Sequence, residues 1–330
     1  MMAYRAGTRC LARWTVAVIL AVVAIPLGSS IARACSICGC GDPLLAAADP
    51  AAIAGRLRLQ LDTEYLRADA GTDGQPGYTD KLTQWSYRLN IVYRPWDRLS
   101  LIATLPLVDK TMRTTGGGLD VLDSHLTGVG DAEIAARVAL WQSMSLMRRR
   151  VQEVALSTGT MMPTGGADAA VSDSSGQRIP VDPHAQLGTG GWGPFLGLHY
   201  RFEQGDGLLF ADLAYRWRTT GTYFDGSTYK FGDALLWSLH SQYRLHARVA
   251  ADLGLDGRYA RPDKAAASGE ATSTVESTGG TLLALAPGIY VNALPKLWLF
   301  GRAQFPFYKR FYGEQDVGLS AVLGLQYEAL

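Results

Sequence analysis

The sequence predicts an all-β fold, a transmembrane antiparallel β-barrel of about twelve strands. Three observations predict it: a two-residue alternation of apolar and polar side chains, connections that alternate between long and short, and aromatic residues gathered near strand ends. The alternation is clearest from Arg56 to Tyr65. There Leu57, Leu59, Leu61, Thr63 and Tyr65 alternate with Arg56, Arg58, Gln60, Asp62 and Glu64. A strand sends successive side chains to opposite faces, so this segment has one apolar and one charged face. Its length suits a strand tilted across a bilayer, which needs roughly 9–11 residues.

The same design recurs along the chain. Lys81 to Arg94 sets Trp85, Tyr87, Leu89, Ile91 and Tyr93 against Gln84, Ser86, Arg88, Asn90 and Arg94. Arg98 to Leu107 follows after a tight turn at Pro95-Trp96-Asp97. Further strands fit Asp131 to Trp141, Val151 to Met162, Trp192 to Arg201, Leu208 to Arg218, Asp233 to Leu245 and Arg248 to Tyr259. The last three fit Leu282 to Val291, Leu297 to Phe305 and Val317 to Tyr327. An even count is what single-chain bacterial barrels have.

Long connections follow the odd strands: Ala68 to Asp80, Val108 to Gly130, Pro163 to Gly191, Thr219 to Phe231, Arg261 to Thr278 and Tyr308 to Asp316. Short ones follow the even strands, at Trp96, Met144 to Arg149, Gln204 to Asp206, Leu245 to Ala247 and Asn292 to Lys296. Outer-membrane barrels have short periplasmic turns and long outer loops, which would put both termini on the periplasmic side. The longest loops are rich in Gly, Ser, Thr, Asp and Ala and read as mobile surface segments. Trp85, Tyr93, Trp96, Trp141, Trp217, Tyr243, Phe305 and Tyr327 near strand ends read as interfacial girdles.

Residues 1–34 read as a cleaved secretory signal. Arg5, Arg9 and Arg13 precede an apolar run from Trp14 to Leu27, and Ala32-Arg33-Ala34 supplies a small-x-small cleavage site. Its four arginines leave with it, so the 31 basic and 30 acidic residues of the whole chain become 27 and 30, a net charge of −3. Apart from Arg148 to Arg150 no run of like charge remains, which gives no support to a nucleic-acid partner.

Residues 35–52 form a short cysteine-rich segment ahead of the barrel at 53–330. It begins Cys35-Ser36-Ile37-Cys38-Gly39-Cys40. Three soft sulfurs so close together suit Cu(I) or Zn. Export to an oxidising compartment leaves a disulfide or redox pair open as well, with one thiol over, and Cys35 as a lipid carrier is a further reading. No other cofactor is implied: phosphate loops and dinucleotide fingerprints are absent from the sequence.

The polar strand faces define the expected lumen. Arg56, Arg58, Arg88, Arg137, Arg201, Arg216, Arg244, Arg258 and Arg302 share it with Asp62, Glu64, Asp131, Glu133, Glu153, Asp212, Asp252 and Asp256. His240 lies on the same face with Ser238. Such charges either fill the barrel as ion pairs or form a selectivity constriction, and their mixed sign argues against a preference for one ion. Two histidines raise a hydrolase alternative: His240 near Ser238, and Asp123-Ser124-His125 in an outer loop. Neither has a demonstrable base and orienting group, so an enzyme is not the leading expectation.

Three glycine-based motifs then carry a resemblance. Thr127-Gly128-Val129-Gly130-Asp131 leads into a strand, Met162-Pro163-Thr164-Gly165 ends the strand after it, and Leu187-Gly188-Thr189-Gly190 precedes another. In this order they resemble the outer-membrane transporter family of the phenol-degradation MetA-pathway type. The resemblance spans residues 53–330 without the cysteines. It implies an outer-membrane channel or transporter for small solutes, with lipid and the barrel-assembly machinery as partners. The alternative from the residues themselves is a periplasm-facing metal-binding or redox protein that uses the barrel as an anchor.

Overall fold

A computed structural model describes residues 56–71, 79–115, 122–145, 147, 149–172, 178–223, 226–313 and 315–329. The signal segment and the cysteine-rich segment, with Cys35, Cys38 and Cys40, lie outside the described residues. The main sheet closes on itself as twelve staves. These are β1 (Leu57–Gly71), β2 (Thr79–Trp96), β3 (Leu99–Thr115), β4 (Leu122–Val129 and Glu133–Ser145), β5 (Arg150–Met161) and β6 (Gly193–Gln204). They continue with β7 (Gly207–Arg216), β8 (Ala234–His246), β9 (Val249–Ala260), β10 (Gly280–Leu294), β11 (Leu297–Phe311) and β12 (Gln315–Val317 and Ser320–Ala329).

Each stave pairs antiparallel with its neighbours in sequence, and β12 returns to β1. The closing register runs from Leu57 opposite Ala329 to Tyr65 opposite Ala321. Both ends of the described barrel therefore lie at the end of the short turns. Closure leaves no open strand edge, the condition for placing strands in lipid.

Every expected strand lies in a stave, but several staves run further toward the long loops. β3 continues past Leu107 to Thr115 and pairs there with Leu122–Val129, a stretch expected to be loop. The extension escaped the alternation test because its outward residues are polar: Asp109, Thr111 and Arg113 on β3, and Asp123, His125 and Thr127 opposite. An outward face of this kind belongs above the lipid, where no apolar signal is needed.

Below the extension, Leu101, Leu105 and Leu107 of β3 are exposed outward, as are Leu59, Leu61, Leu89, Leu198 and Leu325 elsewhere. Aromatic residues bound this band. Trp85, Trp217 and Phe305 lie toward the loop end, and Tyr93, Trp141, Tyr243 and Tyr327 toward the turn end, all exposed. Trp85 and Tyr93 are eight residues apart on β2, about 27 Å along the strand. Tilting the strand by some 40° brings that to about 20 Å, close to the apolar height of an outer membrane.

β4 carries one extra residue against β3. Leu107 pairs with Val129 and Thr104 with Glu133, so two residues of β3 face three of β4. The inward parity changes across the gap: Ser124 is inward above it, Glu133 and Arg137 below it, and Asp131 is buried within it. A bulge re-aims side chains in this way. The third long connection also departs from expectation. Read from its composition as mobile surface chain, its described residues instead fold into the barrel.

Candidate functional site in the barrel interior

The connection between β5 and β6 carries a small hairpin, Ala170–Ser172 paired with Arg178–Pro180. After it, Val181 and Ala185 are buried and pack with Leu66, Ala68, Leu82, Met112, Phe311 and Val317. These partners come from β1, β2, β3, β11 and β12, on the far side of the barrel from β5 and β6. Inward residues at the loop end of these staves are apolar, and the loop brings the complementary apolar surface to cover them. Gln186, 1% exposed, ties the loop to itself. It donates to the carbonyls of Ala169 and Val181, each at 2.9 Å, and accepts from the Ala169 N–H. Lys110 of β3 donates to the carbonyls of His184 and Gln186, at 3.0 and 2.5 Å.

The three glycine motifs meet at one joint. Asp131, in the bulge of β4, accepts from the Gly165 N–H at 3.0 Å with one oxygen. With the other it accepts from the Thr189 N–H and the Thr189 hydroxyl, both at 2.7 Å. Thr164 donates its hydroxyl to the Gly130 carbonyl and accepts from the Ala132 N–H, both at 2.8 Å. The glycines permit this approach. A Cβ at Gly165 would lie 2.7 Å from the Gly188 Cα, and one at Gly188 would lie 2.5 Å from an Asp131 oxygen. The motifs therefore place both roots of the loop against β4 and aim it inward.

A second clamp holds the returning limb of the loop, after the hairpin. His184 contacts Asp182 through Nδ1 at 3.0 Å and Asp263 through Nε2 at 3.1 Å. Asp263 also accepts from the Tyr229 hydroxyl at 2.7 Å and the Gly232 N–H at 2.6 Å. The Tyr229 and Phe231 rings meet the imidazole edge-on at 5.8 and 5.4 Å. Burial disfavours the imidazolium, but the two carboxylates outweigh it and raise the His184 pKa well above its ordinary value. Tyr229 belongs to a four-stranded sheet formed by the next two long connections, at Gly221–Thr222, Thr228–Lys230, Lys264–Ala266 and Ser273–Thr274.

Below the loop the inward residues are polar and bonded to one another, as buried charge requires. On β1 to β3, Asp62 accepts from Gln60, Arg88 and Asn90 at 3.1, 2.7 and 2.7 Å. Arg88 also pairs with Glu64 at 2.5 Å. Arg216 of β7 pairs with Glu133 of β4 at 2.6 Å, a link between staves that are not neighbours. Arg137 pairs with Glu153 at 3.5 Å. His240 stacks on Phe210 with ring centroids 4.8 Å apart. Its two ring nitrogens face Asp252 at 3.1 Å and Asp256 at 2.9 Å. Arg302 joins Asp252 at 2.8 Å, and Arg58 and Arg258 are buried in the same interior.

Not every expected lumen residue lies inside. Arg56 precedes the first stave and is exposed. Arg244 has the inward parity of β8 but sits at its turn end, half-exposed and 3.9 Å from Asp206. Both belong to the rim, because parity fixes a face and not a depth. The hydrolase pairings are also corrected. Ser238 donates to Asp212 rather than to His240. His125 faces outward on β4 beside Asp109 at 3.2 Å, while Ser124 points inward and is buried.

The reading of the sequence passed over His199 and Ser157, which the structure brings together. His199 Nε2 meets the Ser157 hydroxyl at 2.7 Å, and Nδ1 is hydrogen-bonded to Asp212. The signal was available: His199 shares parity with Arg201, and Ser157 with Glu153, both already placed on the inner face. Among the described residues, one space lies under the loop joint, between Glu64, Arg88, Lys110, Glu133 and Thr189. Another lies toward the turn end, between Arg94, Arg98, Arg137 and Glu153. Among the described residues, no group of three or more His, Cys, Asp and Glu side chains is placed to hold a metal ion.

The fold is that of an outer-membrane β-barrel. Among solved structures the chain is similar to the COG4313 outer membrane channel from Pseudomonas putida F1, with a TM-score of 0.61 and 14% identity over 84% of this chain and 98% of that one. It is also similar to the transport unit of the autotransporter AIDA-I from Escherichia coli, with a TM-score of 0.55 and 9% identity over 85% and 93%. At these identities the likeness is one of fold. No protein-family model and no curated protein sequence matches the chain.

Proposed function

We propose that this chain is an outer-membrane channel for small solutes, closed at its outer end by the inward loop. One observation carries the reading: among the described residues, a polar interior with open space has the connection between β5 and β6 folded over it and held there by side chains. A barrel used only as an anchor has no need of a shaped cap with two clamps. The loop-end cap sets when the path opens, and the charged lattice below it sets what passes. Glu64, Arg88 and Glu133, around the space under the loop joint, with Arg216 paired to Glu133, are the selectivity groups in this reading. Carboxylates and guanidiniums alternate there, which suits small neutral or zwitterionic solutes better than ions of one sign.

The apolar band and its aromatic borders support an outer-membrane location, and in this reading the short turns and both ends of the barrel face the periplasm. The similarity to an outer-membrane channel agrees with it. Membership of the phenol-degradation MetA-pathway transporter type is part of the same proposal. Its support is that the three motifs form one joint around Asp131 instead of three unrelated turns.

The test is conductance of the purified protein in a planar bilayer, with swelling of proteoliposomes in small sugars and amino acids. Brief, low-conductance openings and size-limited swelling are expected. A folded, inserted protein that conducts nothing and admits no solute overturns the proposal.

A further inference from the structure

Ser157, His199 and Asp212 stand on three consecutive staves, β5, β6 and β7, with their side chains on the inner face. The Ser157 hydroxyl lies 2.7 Å from His199 Nε2, and His199 Nδ1 is hydrogen-bonded to one Asp212 oxygen. The other Asp212 oxygen accepts from the Ser238 hydroxyl at 3.2 Å. This is the order of groups that activates a serine: a hydroxyl, a base within reach of it, and a carboxylate that orients the base.

The backbone makes room for that meeting. Gly197 is opposite Ser157 in the register of β5 and β6. A Cβ there would lie 2.6 Å from the Ser157 hydroxyl oxygen and 3.4 Å from His199 Nε2. Any other residue would wedge itself against the nucleophile and its base. On the other side of Ser157, its partner in the β4 register is Arg137, also inward and 8% exposed. Directly opposed residues have Cβ atoms about 4.5–5.5 Å apart, so the Arg137 side chain starts beside Ser157 on the side away from the histidine, with its guanidinium 3.5 Å from Glu153. A developing oxyanion needs a charge or donors there.

We propose that Ser157, His199 and Asp212 form a serine esterase centre inside the barrel, acting on short-chain carboxylic esters that reach the lumen. Ser157 Oγ attacks the ester carbonyl carbon while His199 Nε2 takes its proton. The carbon–alkoxy bond breaks, and the proton on His199 passes to the leaving alcohol. Water, deprotonated by the same nitrogen, then attacks the acyl-serine. The C–Oγ bond breaks, the proton returns to Ser157, and a carboxylic acid leaves. Ester and water thus become acid and alcohol without a cofactor. Asp212 and Ser238 are positioning residues, and Arg137, opposite Ser157 in the register, is the candidate to meet the carbonyl oxygen. The enclosed setting limits the substrate to a short acyl chain.

The experiment uses the full chain purified from membranes in detergent, assayed with p-nitrophenyl acetate, butyrate and palmitate. The short esters are hydrolysed and the palmitate is not. Ser157→Ala and His199→Ala lower the rate on acetate by about 100-fold or more. Asp212→Ala lowers it too, and Asp212→Glu restores part of the loss, which a merely structural carboxylate would not do. Folding of each variant is read from its heat-dependent mobility on a gel. Independently of any variant, a fluorophosphonate labels the parent protein, and peptide mapping places the adduct on Ser157. Equal rates for the parent and a folded Ser157→Ala, or no adduct on Ser157 in the folded parent, overturn the proposal.

Discussion

Asp131 and Thr189 are joined by two hydrogen bonds, from the Thr189 N–H and its hydroxyl to the same carboxylate oxygen, each 2.7 Å long. They lie 58 residues apart in the chain. Asp131 is buried, and its other oxygen serves Gly165 at the opposite root of the loop. One side chain therefore holds both ends of the connection that folds into the barrel. Asp131→Ala leaves the Gly165 and Thr189 N–H groups unpaired in a buried place, at about 1–3 kcal/mol each, while the Thr189 hydroxyl keeps the Gly191 carbonyl at 3.1 Å. The barrel wall remains, because its ladder does not depend on this carboxylate. The undocked loop population is expected to rise by roughly tenfold or more, seen in a planar bilayer as longer or larger openings from a protein with unchanged heat-dependent mobility.

The second clamp makes loop docking depend on pH. His184 faces Asp182 and Asp263, with the Tyr229 and Phe231 rings at its edge and Lys110 bonded to its carbonyl. Its pKa is raised in the docked loop. Its contribution is therefore fully present below the ordinary imidazole pKa, and it is lost as pH rises through the raised value. Asp182 behaves in the opposite sense. Partial burial opposes its charge, but the hydrogen bond from His184 lowers its pKa. That contribution is present above the ordinary carboxylate pKa and fades as pH falls through the lowered one. The loop is expected to hold from mildly acid to neutral pH and to loosen in alkali. Open probability measured across that range should rise on the alkaline side, and His184→Gln should flatten the rise.

His240 gives a prediction about packing. Gly254 is its register partner on β9, and a Cβ there would fall 2.1 Å from the imidazole Cε1. The ring cannot retreat, because Phe210 stacks on one side and Asp252 and Asp256 hold both nitrogens. Gly254→Ala is expected to destabilise the barrel by roughly 1–3 kcal/mol, read as a lower urea midpoint for unfolding in detergent. Gly166→Ala is the control. Its nearest atom would be an Asp168 oxygen at 3.8 Å, and little change is expected.

Side-chain alternation made the staves legible because lipid outside and polar space inside impose opposite demands on adjacent residues. Leu57 to Tyr65 shows both demands at once. The rule failed where one demand lapses. Asp109 and His125 stand outward beyond the apolar band, so their strands looked like loop. The loop from Pro163 to Gly191 was misread for a related reason. Its glycines and polar residues look like mobile surface chain, yet Gln186 satisfies backbone groups from within and Asp131 does so from another stave. Long-range pairing of this kind leaves no periodic trace. His199 and Ser157 were legible by parity, but their contact depends on register, which the alternation alone does not supply.

The last prediction concerns the cysteines ahead of the barrel. If cleavage follows Ala34, Cys35, Cys38 and Cys40 are the only cysteines of the mature chain, and they lie within six residues of one another. Three thiolates on a glycine-rich segment form a soft donor set that favours Cu(I) over harder cations, with Zn the next candidate. A barrel in an oxidising compartment keeps such thiols reduced only if something occupies them. We expect about one Cu(I) or Zn per chain in protein purified without oxygen, and loss of the metal when the three are changed to Ser. Metal analysis and thiol titration on the same sample separate the alternatives. A metal-free protein with two of the three thiols oxidised would assign the segment to disulfide chemistry and leave the barrel as the sole functional part.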